Sequence, residues 1–120
     1  MSLGWASPGK RGTLFFMIVA FSVAPSGAGA DSDGSVAEAV AEAVKVVRDS
    51  GLPNRTSSMF TEIEGTWDDV FDVIKRATEA VERFSSRVSL VIKADIRPGF
   101  DGELDGKLER LESAISKSDS

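Results

Sequence analysis

KRGTLFFMIVAFSVAPSGAGA, Lys10–Ala30, has two readings that lead to different proteins. Lys10 and Arg11 precede an apolar run from Leu14 to Ala24, and Ala28-Gly29-Ala30 supplies the small-x-small pattern of a cleavage site. Together these fit an export signal. The same run also alternates in size: Val19, Phe21 and Val23 are large, whereas Ala20, Ser22 and Ala24 are small. A period of two marks a strand with one buried face, and a signal core has no need of it. The run meets Pro25 after about a dozen apolar residues, short of the roughly 20 that a bilayer-spanning helix requires. No membrane segment is expected.

Composition narrows the chemistry. At 120 residues and 42% hydrophobic content the chain suits one globular domain. Its 19 acidic residues outnumber 14 basic ones, and the formal charge of -5 repels phosphate backbones, so nucleic acid is a poor partner. Cysteine and histidine are both absent. That removes thiolate zinc sites, disulfides, Cys nucleophiles and imidazole bases. No metal or cofactor is expected, since a metal would need carboxylates alone and no EF-hand spacing occurs.

Downstream, Ser35 with Glu38 three residues on forms a capping box. Val36, Val40, Val44 and Val47 then make an apolar stripe, and Gly51 with Pro53 ends a helix read as Val36 to Ser50. NRTSSMFTEIEG, Asn54–Gly65, lacks a helical stripe and reads as a hairpin turning near Met59 and Phe60. Thr66 caps a second helix, with Asp69 in the capping-box position. Val70, Val73, Ile74, Ala77, Val81 and Phe84 form its buried side as far as about Ser85. RVSLVIKADIRPG, Arg87–Gly99, alternates again, predicting a strand with Val88, Leu90, Ile92, Ala94 and Ile96 on a buried face. Leu104, Leu108, Leu111 and Ile115 recur at helical spacing in a final amphipathic helix, and 117–120 reads as a frayed tail. The Val-rich stripe of the first helix and the leucines of the last are most simply core.

Helix, two strands, helix and strand make a βαββαβ pattern lacking only its first strand. Ile18 to Ala24 supplies it, with Val19, Phe21 and Val23 toward the helices. That tips the opening question toward a strand, retained by a mature, cytoplasmic protein; export with cleavage after Ala30 is the alternative.

Three segments carry a family resemblance: MIVAFSVAPSG, SGLPNRTSSMFTEIEG and RVSLVIKADIR. Their order and spacing resemble the YkoF-like small thiamine-binding proteins, over about Met17 to Ile115. The most specific piece is Met59, Thr61, Ile63, Glu64 and Gly65, similar to an M-x-T-x-IEG pattern, joined by Lys93, Asp95 and Arg97. The resemblance implies an α+β, ferredoxin-like βαββαβ sandwich over 17–116 with an antiparallel sheet and an additional C-terminal helix. Residues 1–16 precede it and read as an extension, disordered or partly cloning-derived. It further implies a non-catalytic protein that binds thiamine or its hydroxymethylpyrimidine moiety between subunits of a homodimer or homotetramer. Ser58, Phe60 and Thr78 depart from the family pattern.

Within that resemblance the candidate ligand residues are Ser22, Ser57, Thr61, Glu64, Trp67, Lys93 and Asp95. Glu64 is the expected acceptor for an aminopyrimidine edge, near the sheet surface, with Ser22, Ser57 and Thr61 as neighbouring hydroxyls. Trp67 offers a stacking surface, although a Trp in a helix's first turn more often packs on a sheet edge. Glu62, Glu64, Lys93 and Asp95 are expected on one sheet face, which in most proteins is simply solvated. Two other classes fit the same residues: an assembly or regulatory domain without a small ligand, and a small lyase or isomerase using Glu64 or Asp95 as base. Carboxylate catalysis needs a dry pocket that raises a pKa, and no motif marks one. The glycines of GAGADSDGS match neither phosphate-binding pattern and read as a turn.

Overall fold

The computed structural model describes residues 16–27, 33–99 and 102–118. The elements run β1 (Phe16–Pro25), α1 (Asp33–Asp49), β2 (Asn54–Thr56), β3 (Thr61–Thr66), α2 (Trp67–Glu82), β4 (Val88–Ile96) and α3 (Glu103–Ser118). The strands form one antiparallel sheet in the order β2-β3-β1-β4. This is the ferredoxin-like α+β arrangement with a C-terminal helix added.

The opening stretch is a strand at the centre of that sheet. Met17, Val19, Phe21 and Val23 are buried against the helices, while Ile18, Ala20 and Ser22 alternate to the other face at intermediate exposure. β1 pairs with β3 through Val19↔Ile63 and with β4 through all nine residues from Met17↔Ile96 to Pro25↔Val88. Ser26 N–H donates to the Arg87 carbonyl at 2.9 Å, extending the pairing into the turn. Gly27 is required there, because a Cβ would lie 2.4 Å from Ser86 Oγ and 2.7 Å from the Arg87 nitrogen. The small-x-small segment Ala28-Gly29-Ala30 lies outside the described residues.

Ile63, Val70, Val73, Ile74, Ala77 and Val81 join β1 and α1 in one core, and Phe84 packs on it just past the end of α2. The α2 start follows the sequence: Thr66 Oγ1 accepts from the Asp69 amide at 3.2 Å. The hairpin is also as expected, with Arg55↔Glu62 and Thr56↔Thr61 flanking its turn.

Four expectations need correction. Helix α1 begins at Asp33, so Ser35 lies within it rather than at its cap; the side chain of Ser35 falls outside the described residues. Its core side is Ala39, Ala43 and Val47, while Val40 is 37% exposed and Val36 and Val44 are half-buried. Small alanines let α1 settle closely on the sheet and α2, turning the other valines aside. The alternating strand β4 forms at the expected place, but only Val88 is partly buried: Leu90, Ile92 and Ile96 are exposed, as is Val91. As the last strand of the sheet it extends beyond the cover of the helices. Likewise α3 buries only Glu103 and Leu104, and leaves Leu108, Leu111 and Ile115 exposed.

Candidate functional site

A cleft of about 140 Å³ opens where the end of β1, the inner side of α1 and the β2–β3 turn converge. Its wall on β1 runs from Phe21 to Ala24, and α1 contributes Val40, Ala43, Val44 and Val47. The turn contributes every residue from Thr56 to Thr61. Val40 and Val44, which miss the core, therefore face this opening, which the periodicity alone did not reveal. Alanines interleaved with valines in AVAEAVKVV, Ala39–Val47, are the signal of a helix with two different apolar sides.

The turn is held by its own hydroxyls. Ser57 N–H donates to the Phe60 carbonyl at 2.9 Å, and Ser57 Oγ donates to that carbonyl at 3.2 Å while accepting from the Met59 and Phe60 amides at 3.4 and 3.3 Å. Such a side-chain-supported turn limits motion of the residues it carries. Thr61 is buried, with its Oγ1 3.3 Å from Thr56 Oγ1. Met59, in contrast, is 72% exposed at the mouth. An unbranched thioether there can adapt to a flat ring. None of the described residues lining the cleft carries a charge.

The sheet separates the candidate residues into two groups. Ser57 and Thr61 line the cleft, and Ser22 meets it from β1. By strand alternation Ser22 directs its side chain to the face opposite Phe21 and Val23, so it meets the cleft through its main chain. Register aligns Glu64, Ile18 and Asp95 in one row across β3, β1 and β4, and Glu62, Ala20 and Lys93 in another. The four charged residues thus share one face, as the alternation required, but it is the face away from the cleft. Trp67 is half exposed and lies against Phe71 one turn on, with ring centroids 4.7 Å apart and planes tilted by 40°.

Glu64 is not at the sheet surface. It is 3% exposed, and its carboxylate accepts from the Glu103 amide at 2.7 Å and the Leu104 amide at 3.4 Å. A carboxylate at the positive end of a helix satisfies amides that have no partner within the helix. Ion pairs surround this contact: Asp95 accepts from Lys107 at 2.5 Å, Arg55 pairs with Asp105, and Glu103 pairs with Arg110 at 2.7 Å and Arg97 at 3.8 Å. The Lys107 hydrogen bond holds the Asp95 carboxyl below its usual range, and the Arg110 guanidinium does the same for Glu103. Glu64 and Asp95 are therefore both engaged in seating α3. Among the described residues no group of His, Cys, Asp or Glu is arranged to hold a metal ion, and no helix is long and apolar enough to cross a membrane.

Comparison with known proteins places these features in a family. The family model for thiamine-binding proteins matches residues 19–112. A UPF0045 protein of Mycobacterium bovis is 52% identical over 97 residues, covering 80% of this chain and 91% of that protein. Among solved structures, a hypothetical protein from Methanocaldococcus jannaschii is similar with a TM-score of 0.70 and 27% identity, over 81% of this chain and 96% of that one. A Thermotoga maritima protein, described as a candidate for thiamine biosynthesis or salvage, shares the fold with a TM-score of 0.63 at 23% identity, over 75% and 94% of the two chains. A match that spans the sheet, both core helices and the first turns of α3 leaves one assignment: the chain belongs to the thiamine-binding protein family.

Proposed function

We propose that the chain binds thiamine, through its hydroxymethylpyrimidine end, in the cleft between β1, α1 and the β2–β3 turn, and does so without catalysing a reaction. The observation that carries this reading is convergence. Of the segments that distinguish the sequence, the end of β1 and the SSMFT turn meet at one cleft, in a chain of the thiamine-binding family. The volume suits one ring rather than a whole two-ring ligand, being below the roughly 300 Å³ at which pockets for drug-sized molecules begin. Apolar walls from Phe21, Val40 and Val44 suit the faces of a pyrimidine, and hydroxyls at Ser57 and Thr61 suit its donor and acceptor edge. A lining without charge favours the neutral ring and leaves the thiazolium cation at the mouth or in solvent. Among the described residues the lining offers no general acid or base, which supports binding rather than turnover.

The partner in this reading is a second copy of the chain, as a dimer or a pair of dimers. Leu90, Val91, Ile92 and Ile96 on β4, and Leu108, Leu111 and Ile115 on α3, are all exposed, more large apolar side chains on two elements than singly scattered surface residues account for. A subunit bound near the cleft would complete the enclosure of the outer half of the ligand.

Calorimetric titration of thiamine into the full chain tests the proposal. The wild type should bind, and Thr61→Val, which keeps the shape but removes a hydroxyl, should weaken binding by about fivefold to tenfold. No heat at millimolar thiamine would reject the ligand and favour an assembly domain. Unchanged affinity in Thr61→Val would reject the cleft.

A further inference from the structure

Sulfur is scarce in this chain, and one atom of it stands at the mouth of the cleft. The sequence has no cysteine and three methionines, Met1, Met17 and Met59. Met1 lies outside the described residues. Met17 is buried in the core, whereas Met59 is more exposed than any other large hydrophobic side chain among the described residues, and it lines the cleft. We infer that Met59 is a site of reversible oxidation by peroxides, and that conversion of its thioether to the sulfoxide lowers the affinity of the cleft for its ligand. The inference rests on the thiamine-binding reading above and adds a regulation of that same site.

Position decides which sulfur reacts. A thioether is oxidised where the oxidant reaches it. Met17, at 1% exposure, is closed to a dissolved peroxide, and no thiol in the chain competes for it. The turn keeps Met59 in reach: the Met59 and Phe60 amides donate to Ser57 Oγ, and the Ser57 amide donates to the Phe60 carbonyl, so the backbone carrying the thioether is fixed at the rim. In the reaction a sulfur lone pair attacks the terminal oxygen of the peroxide, and the O–O bond breaks as the S–O bond forms. Sulfur gives up two electrons, and the departing oxygen takes the proton of the attacked one and leaves as water or, from an organic peroxide, as an alcohol. Two thiols reverse the change, giving back the thioether with a disulfide and water.

The consequence for the cleft follows from polarity. A flat ring gains from a polarisable, unbranched thioether beside it. The sulfoxide is polar and chiral, with an oxygen that seeks a hydrogen-bond donor. Against the apolar walls of Phe21, Val40 and Val44 it finds none, so it stays in water and the ring loses its cover at the mouth.

Peroxide treatment of the full chain tests the inference. After exposure to hydrogen peroxide and its removal by catalase, peptide mass spectrometry should find the sulfoxide at Met59 well before Met17. Thiamine affinity, measured by calorimetry on the same samples, should fall by about threefold to tenfold. Methionine sulfoxide reductases of both epimer specificities, supplied with a dithiol, should restore it. In Met59→Leu the affinity before and after peroxide should differ by less than about twofold, whatever its starting value. Met59→Gln, with a polar amide in place of the thioether, should bind as weakly as the oxidised wild type without any oxidant. Equal oxidation of Met17 and Met59, or a loss of affinity that persists in Met59→Leu, would overturn the inference. Full conversion of Met59 with affinity unchanged would overturn it and leave the thiamine reading in place; a wild type that binds no thiamine before treatment would remove both.

Discussion

β1 and β4 are neighbouring strands with similar alternation, yet they meet different surroundings. On β1 the large residues Met17, Val19 and Phe21 are at most 2% exposed, whereas on β4 Leu90, Ile92 and Ile96 are between 38% and 45% exposed. β1 lies between two strands beneath α1 and α2, and β4 has one strand beside it and little helix above it. Alternation therefore reports which residues need burial, and the sheet order decides whether the chain supplies it. Where the chain does not, a second copy is the natural source, as proposed for β4.

Matched substitutions should break this comparison most visibly. Ile63→Ala removes a side chain with no exposure at the centre of the core and should cost about 2–5 kcal/mol in denaturant unfolding. Ile92→Ala should cost about 1 kcal/mol or less in dilute monomer, with its main effect appearing as lost self-association at higher concentration. Equal costs in dilute solution would mean that β4 is covered within its own chain.

A smaller effect is expected where α3 is seated. Glu64→Gln keeps one oxygen for the Glu103 and Leu104 amides but turns an amide donor toward them, so the first turn of α3 should lose about 1–3 kcal/mol of local stability. Hydrogen exchange at those two amides measures it directly, and unchanged protection would refute the capping role. The ion pairs add a weaker, pH-dependent contribution. Asp95 and Glu103 have folded-state pKa values below their ordinary ones. Their stabilisation is therefore present above the usual carboxylate range and is lost as pH falls through the depressed values. Protection of α3 should decline below about pH 4. A decline on raising the pH from about 5 to 8 would contradict the assignment.

Much of the architecture was legible because it is local. The alternation of Val19, Phe21 and Val23, the Thr66 cap and the α2 stripe each depend on residues within a few positions, and each is realised in the fold. Glu64 was not legible in the same way, since its partners Glu103 and Leu104 lie 39 and 40 residues away and no local pattern pairs them. Its place in the M-x-T-x-IEG pattern drew attention to the residue without showing that its oxygens are occupied by a helix. The cleft was legible in part: Thr61 stands in the same pattern and Ser57 is a hydroxyl close to it in sequence, but Val40 and Val44 share the helical period of the core, and only the close approach of α1 to the sheet through alanines turns them to the cleft.

Binding of a thiamine ring in the cleft is best tested by following backbone amide resonances of the isotopically labelled full chain while thiamine is added. Shifts should concentrate at Phe21–Ala24, at Val40–Val47 and along the Thr56–Thr61 turn, with Met59 moving strongly and Lys93 and Asp95 little. Perturbations centred instead on the face of Glu62, Glu64, Lys93 and Asp95, or none at millimolar thiamine, would contradict the assignment.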